Sequence, residues 1–218
     1  SLLVPAHSRA KVLGIATFFG FGTNCILQFL GGIFADISWQ CVFLVHILLV
    51  IPFILLLIFC PAIPKIAPQA NNDTAKGKLL THALWWLCVI MALIACFISP
   101  LLIGCSFLSE PIDPSATVAG IVAVFFSLGC MSGGLLFPKL HNLFKNNSAS
   151  VFILLAAVSL IGCAMAKNIP ILCVFIYFGG MGFSMTLASI MMLVAMLSAP
   201  DKVAIASSIM MALFKLGM

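Results

Sequence analysis

The chain has 218 residues, of which 64% are hydrophobic and only 7% charged, and its mean hydropathy is +1.30. A soluble domain carries about a quarter charged residues, so ten Lys or Arg and five Asp or Glu cannot cover a water-facing surface, and the composition predicts a polytopic membrane protein. The formal net charge of +5 comes from short lysine-bearing loops between apolar runs, which sets aside a nucleic-acid partner and leaves membrane lipid as the first one.

Spans follow from runs of about 20 apolar residues at a rise of about 1.5 Å each. They are placed at about 12–34, 40–60, 81–106, 116–137, 150–166, 170–197 and 203–218. Each is expected to be a helix, because hydrocarbon offers no partner to open backbone groups. The predicted fold class is therefore all-α, a transmembrane helix bundle. Pro61 to Leu80 is the one long stretch that is not apolar, and it holds three prolines, two asparagines and Lys65, Lys76 and Lys78. It reads as an exposed linker that parts two groups of spans, 1–60 and 81–218. There is no initiator Met, no signal peptide in Ser1 to Lys11, and an apolar run is still open at Met218. These features give the expectation of an internal fragment of a longer protein.

Loop lysines and arginines set the orientation. With the linker inside, the inner ends hold Arg9, Lys11, Lys65, Lys76, Lys78, Lys139, Lys145 and Lys202, while the outer loops hold Lys167 with Asp36, Glu110 and Asp113. That asymmetry satisfies the positive-inside rule. Trp39 falls at the outer boundary, and Trp85 and Trp86 fall near the inner one, where indole rings favour the interface. Asn72-Asp73-Thr74 and Asn146-Asn147-Ser148 fit the glycosylation pattern but lie on the inner face, so they are set aside.

Catalytic and nucleotide motifs are absent: no GxxxxGK[ST], no HExxH, no GxSxG. The nine cysteines form no CxxC pair and have no His at ligand spacing, so they read as small apolar packing groups. Neither an enzyme, a metal nor a cofactor is indicated. Gly179, Gly180 and Gly182, and the pair Gly129 and Gly133, suggest close helix crossings. Ser99-Pro100 should kink or loosen its span.

Isolated polar groups inside spans are the candidates for a solute path. Asn24 and Gln28 are spaced i, i+4 and share a helical face; an amide facing lipid is costly, so that face should point inward. Their roles as interhelical bonds or as solute contacts stay open. His46 lies about two turns into the second span, either packed and neutral or a proton relay. Lys215 is the charge well inside a span and is expected to face a central cavity.

The segment Arg9 to Phe43 resembles the fifth helix and following turn of major facilitator superfamily transporters, in particular the drug-antiporter-like branch. The likeness rests on Arg9, Gly14, Gly31, Gly32, Asp36, Trp39, Gln40 and Phe43. Leu27 and Gln28 stand where the antiporter motif has Gly-Pro, so that signature is incomplete and the proline bend is missing. Gly134 to Lys145 resembles a degenerate second-half copy of the family's loop motif, in which Gly134 and Lys139 fit. Ala199 to Gly217 is similar to the opening of the eleventh helix.

The resemblance implies helices five to eleven of a twelve-helix protein, a carrier of small solutes rather than an enzyme, working by alternating access about a mid-membrane site. It also implies a cytoplasmic linker and a bacterial inner membrane, with drug or metabolite efflux as one direction. Protons are the candidate coupling ion. All five acids map to loops or helix ends, so a coupling carboxylate is expected in helices outside this chain. A membrane scaffold or sensor without transport is the alternative reading.

The topology has a direct test. Single-cysteine labelling in a cysteine-free background is expected to reach position 110 in intact cells, and positions in the linker or near 142 only after permeabilisation. The reverse pattern would invert the orientation.

Overall fold

Helix ends follow the polar punctuation of the sequence. A computed structural model describes residues 9–45, 47, 50–51, 54, 58, 82–102, 104–144, 147–198 and 203–217. Among the described residues the chain forms α1 Arg9–Ile37, α2 Trp39–Val45, α3 His82–Leu102, α4 Cys105–Ser109, α5 Ala116–Phe144, α6 Ser148–Met165, α7 Ile169–Leu197 and α8 Val203–Gly217. Gly14–Ile37, Leu84–Leu101, Ala116–Phe144, Ser148–Met165 and Ile169–Leu197 are each long and apolar enough to cross a bilayer. This is the all-α transmembrane bundle that composition predicted. Most of the predicted second span, the linker 61–80 and His46 lie outside the described residues.

The bundle is a row of helices, α1 against α5, α5 against α7 and α7 against α6, with the α3–α8 pair joined to it through α7. Apolar residues at helical spacing supply the buried faces: Leu84, Cys88, Met91, Ala95 and Ile98 on α3 face Ala206, Met210 and Phe214 on α8. Phe183, at the middle of α7, gathers the aromatic core. Its ring stacks on Phe214 at 6.0 Å, tilts against Phe126 at 5.9 Å and meets Phe21 of α1 edge-on at 6.3 Å. Large apolar side chains such as Phe97, Ile161 and Met196 remain exposed, as expected of a surface that meets lipid.

The expected glycine crossings are present. A Cβ on Gly180 would overlap the Phe126 carbonyl, one on Gly129 would overlap that of Tyr177, and one on Gly182 would lie 2.9 Å from the Phe152 carbonyl oxygen. Bare backbones therefore touch where α7 crosses α5 and α6. In lipid, where apolar side chains gain nothing by leaving hydrocarbon, such approach is what holds helices together.

Two prolines lie inside helices. Pro100 lies inside α3, which runs on to Leu102. Proline has no N–H for the carbonyl four residues back, here that of Cys96, and the Ser99 hydroxyl donates to that oxygen at 2.9 Å. The freed acceptor is satisfied locally, and the helix passes through the proline to Leu102. Pro138 similarly lies inside α5, which continues to Phe144 rather than ending near 137. The carbonyl that Pro138 frees is that of Gly134, and it faces Gly14 of α1.

Side chains added at these crossings should be felt. Gly180→Val is expected to cost about 1–3 kcal/mol, read as a lower thermal midpoint in detergent. Gly20→Ala, where the added Cβ meets nothing within 4 Å, should stay within about 0.5 kcal/mol of wild type.

Candidate functional site

The site grows from the α1–α5 contact. These helices run antiparallel: Gly14 meets Gly134 near one end, and Gly32 meets Gly120 near the other, where an added Cβ on either residue would lie 2.9 Å from the Cα of its partner. Between the two glycine pairs a polar bond crosses the seam, with the Ser127 hydroxyl of α5 donating to Gln28 Oε1 at 2.5 Å. Ser127 is 1% exposed, so its hydroxyl needs a partner, and the amide supplies one.

Beyond Gly32 the last turn of α1 reaches the first turn of α5. The Asp36 carboxylate accepts the N–H groups of Ala116 and Thr117, each at 3.0 Å, and the Ser115 hydroxyl at 3.2 Å. The Thr117 hydroxyl also donates to it. A helix start leaves its first N–H groups without intrahelical partners and carries partial positive charge. An acidic side chain normally caps its own helix; here the cap comes from another one. Asp113 shapes the approach, its Oδ1 accepting the Ser115 N–H at 3.0 Å.

A cavity of about 410 Å³ opens beside this junction, lined by Gln28, Gly31 and Gly32 of α1, by Glu110 and Asp113 before α5, and by Gly120. The volume is within the range of small-molecule sites, about 300–1,000 Å³. Glycine and alanine make it: with no side chains at 31, 32 and 120, backbone lines the walls. Gln28 contributes its amide, and the two acids make the rim electronegative.

The predicted residues fall in different places. Gln28, Gly31 and Gly32 come together at this cavity. Asn24 stands one turn before Gln28 and is exposed, and it does not line the cavity. Gly134 lies buried at the opposite end of the seam against Gly14. Lys139 is exposed one turn beyond it, and Arg9 opens α1. Lys215 is exposed in the last turn of α8, with Nζ 6.0 Å from the ring centre of Phe214. That ring is the end of the aromatic series running through Phe183 to Phe21.

Ser127, Glu110 and Asp113 were not anticipated as lining or bonding groups. The run Asp113-Pro114-Ser115 before Ala116 does signal a helix start. That its cap is Asp36, some eighty residues earlier, is a tertiary fact. The three described acids, Asp36, Glu110 and Asp113, lie at helix ends or between helices. Cys25, Cys41, Cys88, Cys96, Cys130, Cys163 and Cys173 are free thiols, and among the described residues no cluster of His, Cys, Asp or Glu could hold a metal.

Searches of curated proteins and of solved structures return no match. The family profile described as Major Facilitator Superfamily matches residues 1–218, the whole of the chain. Membrane-length helices, glycine-built crossings, a cavity between α1 and α5 and this match agree, and the chain belongs to the Major Facilitator Superfamily of transporters.

Proposed function

We propose that the chain forms part of a secondary carrier that moves a small solute by alternating access, with the α1–α5 seam lying between the two moving halves. In this reading α1 and the span after it close the first half, the linker 61–80 is cytoplasmic, and α3 to α8 belong to the second half. The observation that carries the proposal is the Gln28–Ser127 bond at the cavity between α1 and α5. At the level of Gln28 the glycine-built seam is joined by an exchangeable polar pair, and a solute hydroxyl or amide can replace either partner.

The Asp36 cap then acts as the clasp of the outer end. It ties the last turn of α1 to the first turn of α5 through one carboxylate, so rocking the halves apart at that end must break it. Lys215, joined to the aromatic series through Phe214, supplies a positive group near the path for an anionic solute or for an acid elsewhere in the protein. Efflux of a drug or metabolite, driven by protons, is the direction that the drug-antiporter likeness suggests.

Solute uptake or efflux by the intact protein in proteoliposomes tests these roles. An interhelical hydrogen bond in a membrane contributes on average about 0.6 kcal/mol, so Gln28→Leu should fold nearly as well as wild type while transport falls by about tenfold or more. Asn24→Leu should have a smaller effect, since its side chain does not line the cavity. If both variants carry solute normally but melt earlier in detergent, the pair is packing only. Normal transport by Lys215→Met at normal expression would remove that charge from the mechanism.

The clasp is tested separately. Asp36→Asn keeps the shape but loses the negative charge at the helix start. The expected outcome is faster labelling of a cysteine placed at Ala119 by a membrane-impermeant reagent, because the outer end opens more often. Unchanged labelling would make Asp36 a static cap.

A further inference from the structure

A second cavity, of about 510 Å³, lies at the far end of the bundle where α5 ends, α6 begins and α7 passes. It shares no lining residue with the cavity beside Gln28. Its polar side is made by His141 and Asn142 of α5 and by Ser148, the first residue of α6; its apolar side is made by Met192 and Met196 of α7. We propose that this cavity holds the phosphate headgroup of an anionic membrane lipid, with one acyl chain lying along α7.

Three features argue for a bound anion. The first is the start of α6, an eighteen-residue helix whose N-cap residue, Asn147, makes no side-chain cap bond. Helix starts attract negative oxygen through their first N–H groups and their dipole. The second is His141, whose Nδ1 lies 3.0 Å from the Ser148 hydroxyl. A neutral imidazole that accepts there carries its proton on Nε2, as a donor. The third is independent of both. Ser189, on the α7 side of the cavity, is 1% exposed, and its hydroxyl has no hydrogen-bond partner. Buried Ser159 and Thr186 on the same helices return to their own backbone, to the Leu155 carbonyl and to that of Gly182. A ligand oxygen would satisfy the Ser189 hydroxyl.

The apolar side selects a lipid over a soluble anion. Met196, in the last turn of α7, is 71% exposed, and Leu193, a turn further in and also lining the cavity, is 39% exposed. His141 and Ser148 lie within a turn of their helix ends, at the depth of headgroups. A polar end at the interface and an apolar wall running inward match an amphiphile, and the donor set matches an anionic head.

The test is native mass spectrometry of the intact protein with phosphatidylglycerol, phosphatidylcholine or inorganic phosphate added. One phosphatidylglycerol should be retained several-fold more strongly than phosphatidylcholine. His141→Leu should weaken that retention about tenfold, as expected for the loss of one charge-assisted hydrogen bond. Met192→Trp, which fills the apolar side without touching a donor, should weaken it as well and serves if the histidine variant fails to fold. Equal retention of the two lipids, or phosphatidylglycerol binding that Met192→Trp leaves unchanged, overturns the proposal. Binding of inorganic phosphate without lipid, with the same loss in His141→Leu, overturns the lipid and leaves a soluble anion.

Discussion

Close approach of two backbones in a medium that offers no hydrophobic drive is the constraint on which this bundle depends. In water, α1 and α5 could associate by hiding leucines. In hydrocarbon they need van der Waals contact and polar bonds, and the close contact requires residues without large side chains. Gly14 against Gly134 and Gly32 against Gly120 fix the antiparallel alignment. That alignment then places Gln28 opposite Ser127 and Asp36 at the first turn of α5. The same geometry recurs where Gly129 and Gly180 bring α5 and α7 together.

Backbone satisfaction is the companion constraint. Each proline within a span frees a carbonyl that lipid cannot hydrate. The chain answers in two ways. Beside Pro100 the answer is local, from the Ser99 hydroxyl to the Cys96 carbonyl. Beside Pro138 the freed Gly134 carbonyl turns to the glycine of a neighbouring helix. The second answer makes a proline part of a helix–helix contact.

The same residues give the molecule its function-bearing space. A glycine that lets backbones touch at one level leaves a gap at the next, and the cavity beside Gln28 is that gap. Polar groups concentrate at its two limits, the Gln28–Ser127 pair on one side and the Asp36 cap on the other. The glycine pairs fix the register of this contact, which the proposed rocking of two halves would use.

The sequence by itself determined the membrane class, the helical fold and the use of glycine at crossings. These depend on local composition and period: apolar runs, small-residue spacing and polar breaks act within one helix. It also singled out Gln28, because an amide within an apolar run is visible on its own, while Gly31 and Gly32 came forward only through the family resemblance. Only the tertiary structure decided which glycine meets which, that Gln28 finds Ser127 while Asn24 one turn away stays exposed, and that Asp36 caps a helix other than its own. Helical periodicity says that residues share a face. It does not say what the face meets, because the partner comes from a distant helix whose register is set by backbone contact.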